Sequence, residues 1–273
     1  TPVFCDIEPE TFTMDPSKIE ALITNRTVAI LPIHVYGNLC DTEAIEAIAK
    51  KHSLKVIYDG AHSFGVKKNG VSSACFGDAT MFSFHATKVF NTIEGGALCF
   101  RDKALKQRIN DLKNFGIHGP ESVPFVGGNA KMNEFCAAMG LCNLRHLDAW
   151  LQQRKTVVER YRQHLEGVLG LKLNREQPGV ESNYAYFPVV FDENLFGASR
   201  NEVMDALAQN GIGARKYFYP LTNTFECFHG KYDVDATPVA LHVAKRVLTL
   251  PLYADLSMED VDRICKIILE QKL

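Results

Sequence analysis

The sequence predicts an α/β protein in which residues 1–147 form a large domain on a mostly parallel central sheet and residues 148–273 form a smaller C-terminal α/β domain. Three observations carry this. Residues 27–33 and 55–58 are short β-branched and apolar runs of the kind that form strands covered on both faces. A single helical repeat separates them, and strand, helix, strand at such lengths is a right-handed crossover with parallel pairing. From Trp150 onward the rhythm changes to a charged helix followed by one apolar strand and further helices.

In order, residues 2–7 read as a strand, and Asp15-Pro16 opens a helix with Asp as N-cap and Pro in the first turn, its apolar face being Ile19, Leu22 and Ile23. Residues 27–33 should then be a central strand. Asp41 caps the next helix, with Ile45, Ile48 and Ala49 at helical spacing and Lys50, Lys51 and His52 suited to its C-terminus. The strand ending at Asp59 follows at once. Lys67-Lys68-Asn69-Gly70 reads as a hairpin turn, residues 79–84 as a strand, and Gly95-Gly96 as a tight reversal into the strand 97–100. A helix runs from Asp102 to about Asn114, a loop to Gly128, and a longer helix places Met132, Phe135, Met139 and Cys142 on one face, which reads as core. In the C-terminal part, residues 154–166 are a helix and 185–191 a strand. Ser199 to Glu202 is a capping box, Gly211 ends that helix, and the last helix starts near Ser257 and buries Val261, Ile264 and Ile268.

A net charge of −2 and a pI near 6.5 give no basic field for nucleic acid. No apolar run has the length of a membrane span, and no leader pattern is present, so a cytoplasmic protein is expected. The eight cysteines are scattered, without Cys-x-x-Cys or His-Cys spacing, which supports neither a metal site nor a disulfide framework.

Chemistry concentrates in Asp59-Gly60-Ala61-His62-Ser63-Phe64-Gly65 and, some twenty residues on, in Ser83-Phe84-His85-Ala86-Thr87-Lys88. Asp59 and Lys88 each follow an apolar strand, at the sheet end where open α/β sheets bind ligands. Read singly, Asp59 is a turn or capping residue and Lys88 a solvated loop lysine. Converging on one cleft, they are what pyridoxal phosphate requires: an amine to hold the aldehyde, and a carboxylate to keep the pyridine nitrogen protonated.

Taken together with Gly77-Asp78 and Glu94-Gly95-Gly96-Ala97, these motifs resemble the DegT/DnrJ/EryC1/StrS family of sugar aminotransferases. Within it the chain looks most like enzymes that aminate C4 of dTDP-4-keto-6-deoxyglucose. The resemblance implies the fold type I architecture of pyridoxal phosphate enzymes. It gives Lys88 the covalent and proton-transfer role, Asp59 the pyridine nitrogen, Ser83 the phosphate and His62 a place near the ring hydroxyl. Asn129, in Gly127-Gly128-Asn129-Ala130-Lys131-Met132-Asn133-Glu134, matches the family asparagine that reaches the cofactor phosphate of the neighbouring subunit, so a homodimer with shared active sites is implied. On residue type alone Asn129 is equally an N-cap. His85 reads as packing or orientation, while His34 and Tyr36 are candidates for the substrate side, and residues 214–221 resemble the family's segment that leads back toward the active site from the small domain.

Glutamate would supply the amine, leaving as 2-oxoglutarate, and a nucleotide-linked 4-keto-6-deoxy sugar would receive it. Lys88 argues against the dehydratases of this family, which carry histidine at that place. Two departures stand out. Gly60 occupies a position where alanine is common, which puts local packing in question. In the family the opening strand follows a Gly-Thr phosphate-binding turn and aromatic residues that pack on the cofactor; these do not occur in the 273 residues, which read as part of a longer chain or as one that has lost part of its site. The competing readings are a non-catalytic binding or regulatory homologue and an aminotransferase for a C3 keto-sugar.

Overall fold

In the computed structural model, which describes residues 1–273, the N-terminal segment is tied down by one buried acid and not by a strand. Residues 2–7 form no strand; Ile7 pairs once with Met14. Asp15 does cap a helical turn, accepting from Ser17 N at 2.9 Å, but only the 3-10 turns Pro16–Lys18 and Glu20–Leu22 follow. A helix this short needs tertiary packing that the segment does not offer along its length. Asp6 supplies the anchor instead. It is 2 % exposed and accepts from Ala240 N (2.9 Å) and Val239 N (3.1 Å), and Lys18 Nζ lies at 3.2 Å. Burial works to raise its pKa, yet those N–H donors and the lysine hold it below the usual carboxylate range.

Strand β1 is Ala29–Ile30, followed by helix α1, Thr42–His52. Asp41 Oδ1 accepts from Ala44 N at 3.1 Å, and Ser53 closes the helix in a left-handed conformation. Strand β2, Lys55–Asp59, pairs in parallel with β1. Strands β3, Lys67–Lys68, and β4, Val71–Ser72, form the expected hairpin, with Asn69 (φ 50°) and Gly70 (φ 77°) both left-handed as its turn requires. Strands β5, Ala79–Ser83, and β6, Gly96–Phe100, complete a four-stranded sheet in the order β1-β2-β5-β6, parallel except for the last pair.

One face of that sheet packs Ile30, Val56 and Tyr58 against Ile45 and Ala49 of α1. The other exposes Ile57 (38 %), Met81 (40 %) and Leu98 (42 %), and Val28, Leu31 and Ile33 are exposed beside it. Residues 27–33 were expected to be a central strand covered on both sides; of them only Ala29–Ile30 is a strand within residues 1–273, paired with β2 alone. A continuous apolar run registers that both faces avoid water without saying what covers them.

Helices α2, Leu105–Lys113, and α3, Glu134–Leu144, follow, the latter capped by Asn133 Oδ1 accepting from Cys136 N at 2.9 Å. Asn133 takes the capping role that Asn129 could have filled. The face read as core is exposed in this chain: Met132 is 42 %, Phe135 87 % and Met139 39 % accessible, and Cys142 is exposed. Helical spacing marks an apolar face but does not distinguish a core from a contact surface.

Helix α4, Leu147–Leu165, opens the C-terminal half. Strands β7, Leu171–Leu173, and β8, Val180–Glu181, come next; β8 returns to pair with β3. Strand β9, Phe187–Phe191, is buried throughout. Helices α5, Glu193–Phe196, α6, Arg200–Gln209, and α7, Pro238–Arg246, strand β10, Val247–Leu250, and helix α8, Met258–Leu269, complete the chain. The Ser199–Glu202 capping box forms as read. The antiparallel sheet β10-β9-β7 lies against α4, α6 and α8 over a core of 19 buried residues, all between Val157 and Ile268. Arg160 holds Asp262 from α4 to α8 with paired bonds of 2.7 and 2.8 Å.

Leu165 is wholly buried in that core. Leu165→Ala should cost about 2–5 kcal/mol in a urea titration. The same protein's spectrum with added pyridoxal phosphate should be unchanged in native buffer, since Leu165 touches nothing in the cavity described next.

Candidate active site

Because β2 and β5 run parallel, with Ile57 opposite Ala79 and Asp59 opposite Met81, their C-terminal ends deliver Asp59 and Ser83 to the same edge. Gly60 N donates to Met81 O at 2.8 Å and closes that edge. A Cβ on Gly60 would lie 2.8 Å from both Met81 O and Thr80 Cγ2, so in this chain glycine is what the close approach demands. The departure at Gly60 is thus resolved as a packing requirement.

Lys88 sits in a loop pinned at both ends, Phe84 N donating to Gly95 O and Thr92 N to Phe84 O. Beneath it Phe82, Phe84 and Phe90 are buried together, with Phe64 stacked on Phe90 at 4.6 Å. A small cavity opens above this aromatic floor. His62, Ser83, Thr87, Lys88, Asn183 and Tyr186 line it.

The half-buried Lys88 amine makes no ion pair; burial lowers its pKa and the charge of Asp59 opposes that shift. Asp59 accepts from Ala61 N at 2.9 Å through one oxygen, leaving the other free. Ser83 Oγ accepts only a long bond of 3.4 Å from His85 N, so its hydrogen is available. The His62 ring is pushed down to about 3, first by burial and then by the nearby Lys88, and so stays neutral. Its Nδ1 accepts from Tyr36 N at 3.1 Å, which places the hydrogen on Nε2.

Of the five site residues expected from the sequence, His62, Ser83 and Lys88 line the cavity, and Asp59 does not line it but ends the neighbouring strand, from where its charge acts on Lys88. Asn129 is elsewhere. It lies exposed in the loop before α3, bridged to Asn114, and does not line the cavity of its own chain. His85 orients Thr87, its Nδ1 lying 2.9 Å from Thr87 Oγ1. His34 is corrected: it is 0 % exposed, stacked on Tyr58 at 4.5 Å with Nδ1 accepting from Cys40 N, and faces no substrate.

Of the wall contributed by the C-terminal half, sequence reasoning missed Asn183 and Tyr186, while the segment 214–221 was expected there from the resemblance. Tyr186 meets His62 edge-on at 4.8 Å, and Phe218 stacks on His62 at 5.4 Å. One signal was present for the missed residues: a polar Ser182-Asn183 step just ahead of a wholly buried strand.

An unpaired half-buried amine, a carboxylate with one free oxygen, a free serine hydroxyl and a neutral imidazole fit an aldehyde cofactor bearing a ring nitrogen and a phosphate. Residues 1–269 match the model of the DegT/DnrJ/EryC1/StrS aminotransferase family. The chain belongs to this family. It is 42 % identical over 271 residues to a dTDP-4-amino-4,6-dideoxy-D-glucose transaminase of Shigella dysenteriae, covering 99 % of this chain and 74 % of that protein. The crystal structure of DesI, solved in the presence of its TDP-sugar product, superposes with a TM-score of 0.92 at 35 % identity, over 99 % of this chain and 69 % of that one. The putative sugar aminotransferase Spr1654 of Streptococcus pneumoniae in its PLP form gives 0.91 at 28 % identity, over 99 % and 75 %. The chain thus spans about three quarters of the length of the curated relative. This family member is a pyridoxal-phosphate-dependent aminotransferase of fold type I.

His62 and His34, both pushed down to about 3 by burial, bind no proton when folded but do when unfolded below about 6.5. Their contribution to stability is complete above pH 6.5 and is lost as pH falls toward 3. Urea midpoints measured at pH 7 and pH 5 should therefore drop less for His62→Gln than for the unaltered chain.

Proposed function

We propose that this enzyme transfers the amine of glutamate to the C4 carbonyl of a dTDP-linked 4-keto-6-deoxyhexose. The observation that carries this reading is the 42 % identity to the Shigella dysenteriae transaminase across almost the whole chain. The cavity supports it by supplying each group that the transfer needs.

Pyridoxal phosphate, when bound, supplies an aldehyde that accepts the donor's amine and an electron-withdrawing ring that lets the neighbouring C–H bond ionise. Lys88 would hold it covalently and, once displaced, carry the proton between the two carbons that exchange it. That task needs the amine neutral for part of the cycle, which half-burial promotes. Asp59 would face the pyridine nitrogen with its free oxygen and keep it protonated. Ser83 would donate to the phosphate, and His62, with its hydrogen on Nε2, to the ring hydroxyl. Glutamate leaves as 2-oxoglutarate, and the sugar carbonyl oxygen leaves as water.

The enzyme would work as a homodimer. Exposed Phe135 and Met139, one turn apart on α3, make an apolar face suited to a second copy, and Asn129 ahead of that helix would serve the partner's site. Eight unpaired thiols suit the cytoplasm, and the junction between cofactor domain and C-terminal domain falls near residue 147.

The test is a panel of nucleotide keto-sugars incubated with glutamate and pyridoxal phosphate, read by mass spectrometry. A dTDP-4-amino-4,6-dideoxyhexose should form, and amination of free keto acids alone would remove the proposal. Lys88→Ala should lower turnover by at least about 1,000-fold. Borohydride should fix cofactor to the unaltered protein and not to this variant.

A further inference from the structure

We propose that Asn183 is a positioning residue for the cofactor site, holding the turn that carries His62 from the opposite half of the molecule. This rests on the reading of the cavity as the cofactor site. Asn183 is 1 % exposed and lies just before β9, 121 residues from His62 in the chain. Its Nδ2 donates to His62 O at 2.8 Å and to Phe64 O at 2.9 Å, and its Oδ1 accepts from Ala185 N at 3.2 Å.

Those two carbonyls flank Ser63 in a turn that leaves β2, where no strand is available to satisfy them. A primary amide supplies two donors and an acceptor in one plane, and within this volume no other common side chain does. The space is closed on the third side. A Cβ on Gly37 would stand 2.6 Å from Asn183 Oδ1 and 3.2 Å from His62 O, so Gly37, at φ 89°, admits the amide only because it has no side chain. The loop at Gly37, the His62 turn and the approach to β9 therefore meet on one amide group.

The consequence reaches the chemistry through two residues. His62 is held by its carbonyl to Asn183 and by its ring to Tyr36 N, which together fix the direction of Nε2. The bond to Ala185 N sets the chain direction that presents Tyr186 edge-on to the same ring. Asn183 so determines where both walls of the cavity stand.

Asn183→Asp is the deciding variant, because it keeps the shape of the side chain and removes both donors. In cofactor-free protein, hydrogen exchange of a peptide spanning residues 59–66 should quicken at least about 10-fold in Asn183→Asp and in Asn183→Ala, with helix α8 unchanged. The affinity for pyridoxal phosphate, read from its visible band, should fall about 10-fold or more in both, and the Asp variant should bind no better than Ala. Asn183→Ser, which keeps one donor, should fall between them and the unaltered chain, and serves if the other two do not fold. Unaltered affinity and exchange in Asn183→Asp would show that only the shape matters and would overturn the proposal, as would unaltered affinity in Asn183→Ser if that alone folds. If exchange responds as expected while the unaltered chain binds no pyridoxal phosphate, the latch stands and the cofactor reading fails.

Discussion

The parallel pairing of β2 with β5 is the constraint on which the site depends. Two strands that run the same way end at the same edge, and here one ends on Asp59 and the other on Ser83, five residues before Lys88. Antiparallel pairing would send one of the two to the opposite side of the sheet. The spacing is set tightly at the last step, where Gly60 N reaches Met81 O and no side chain fits between them. That closeness lets a carboxylate on one strand act on the amine carried by the next. The crossover through α1, held by the Ile45 and Ala49 contacts with Val56 and Tyr58, does the same for the neighbouring pair, setting β1 parallel to β2 and so fixing the direction in which β2 runs.

Electrostatics follow from how water is kept from this edge. The aromatic floor of Phe64, Phe84 and Phe90 excludes it from below, and Tyr186 and Phe218 exclude it from the side. A histidine in such surroundings beside a lysine stays neutral, and a lysine there loses part of its preference for the charged form. The two effects have one origin in burial and support each other: the neutral imidazole adds no charge to repel a protonated Lys88, while keeping a hydrogen to donate. Asp59 opposes the shift on Lys88, so burial and that charge pull the amine in opposite directions.

How much of this was legible in the sequence depended on the range of the interaction. Asp41, Ser199 and Ser257 capped helices as read, and Asn69-Gly70 turned as read, because each is decided within four residues. Asp59, His62, Ser83 and Lys88 could be nominated as a set because their motifs follow one another in a short stretch. Strand 2–7 and the helix after Asp15 failed because a long-range bond, Asp6 to the start of α7, decides that segment. The faces at Phe135 and Ile57 read as covered yet are exposed within residues 1–273, since apolar periodicity reports aversion to water and not the identity of what removes it. Asn183 escaped notice because it meets His62 across 121 residues, whereas Phe218 lies in the segment 214–221 that the resemblance alone led back toward the site.

Those last two residues also explain why the site belongs to neither half alone. Residues up to 147 supply the amine, the carboxylate, the serine and the imidazole, yet the imidazole is bare on two sides without Tyr186 and Phe218. The seam is held by buried Phe12 and Tyr36 packed with Val190, Val243 and Val247, and by the Tyr36 hydroxyl donating to Tyr217 O. Tyr36 thus acts twice: its backbone N–H fixes the His62 ring, and its hydroxyl fixes the segment whose next residue, Phe218, stacks on that same ring. A displacement of the C-terminal half would pull on both bonds at once and would be felt first at His62. The reactive groups come from one sheet edge, but their surroundings, and hence their protonation, are set by the other half of the chain.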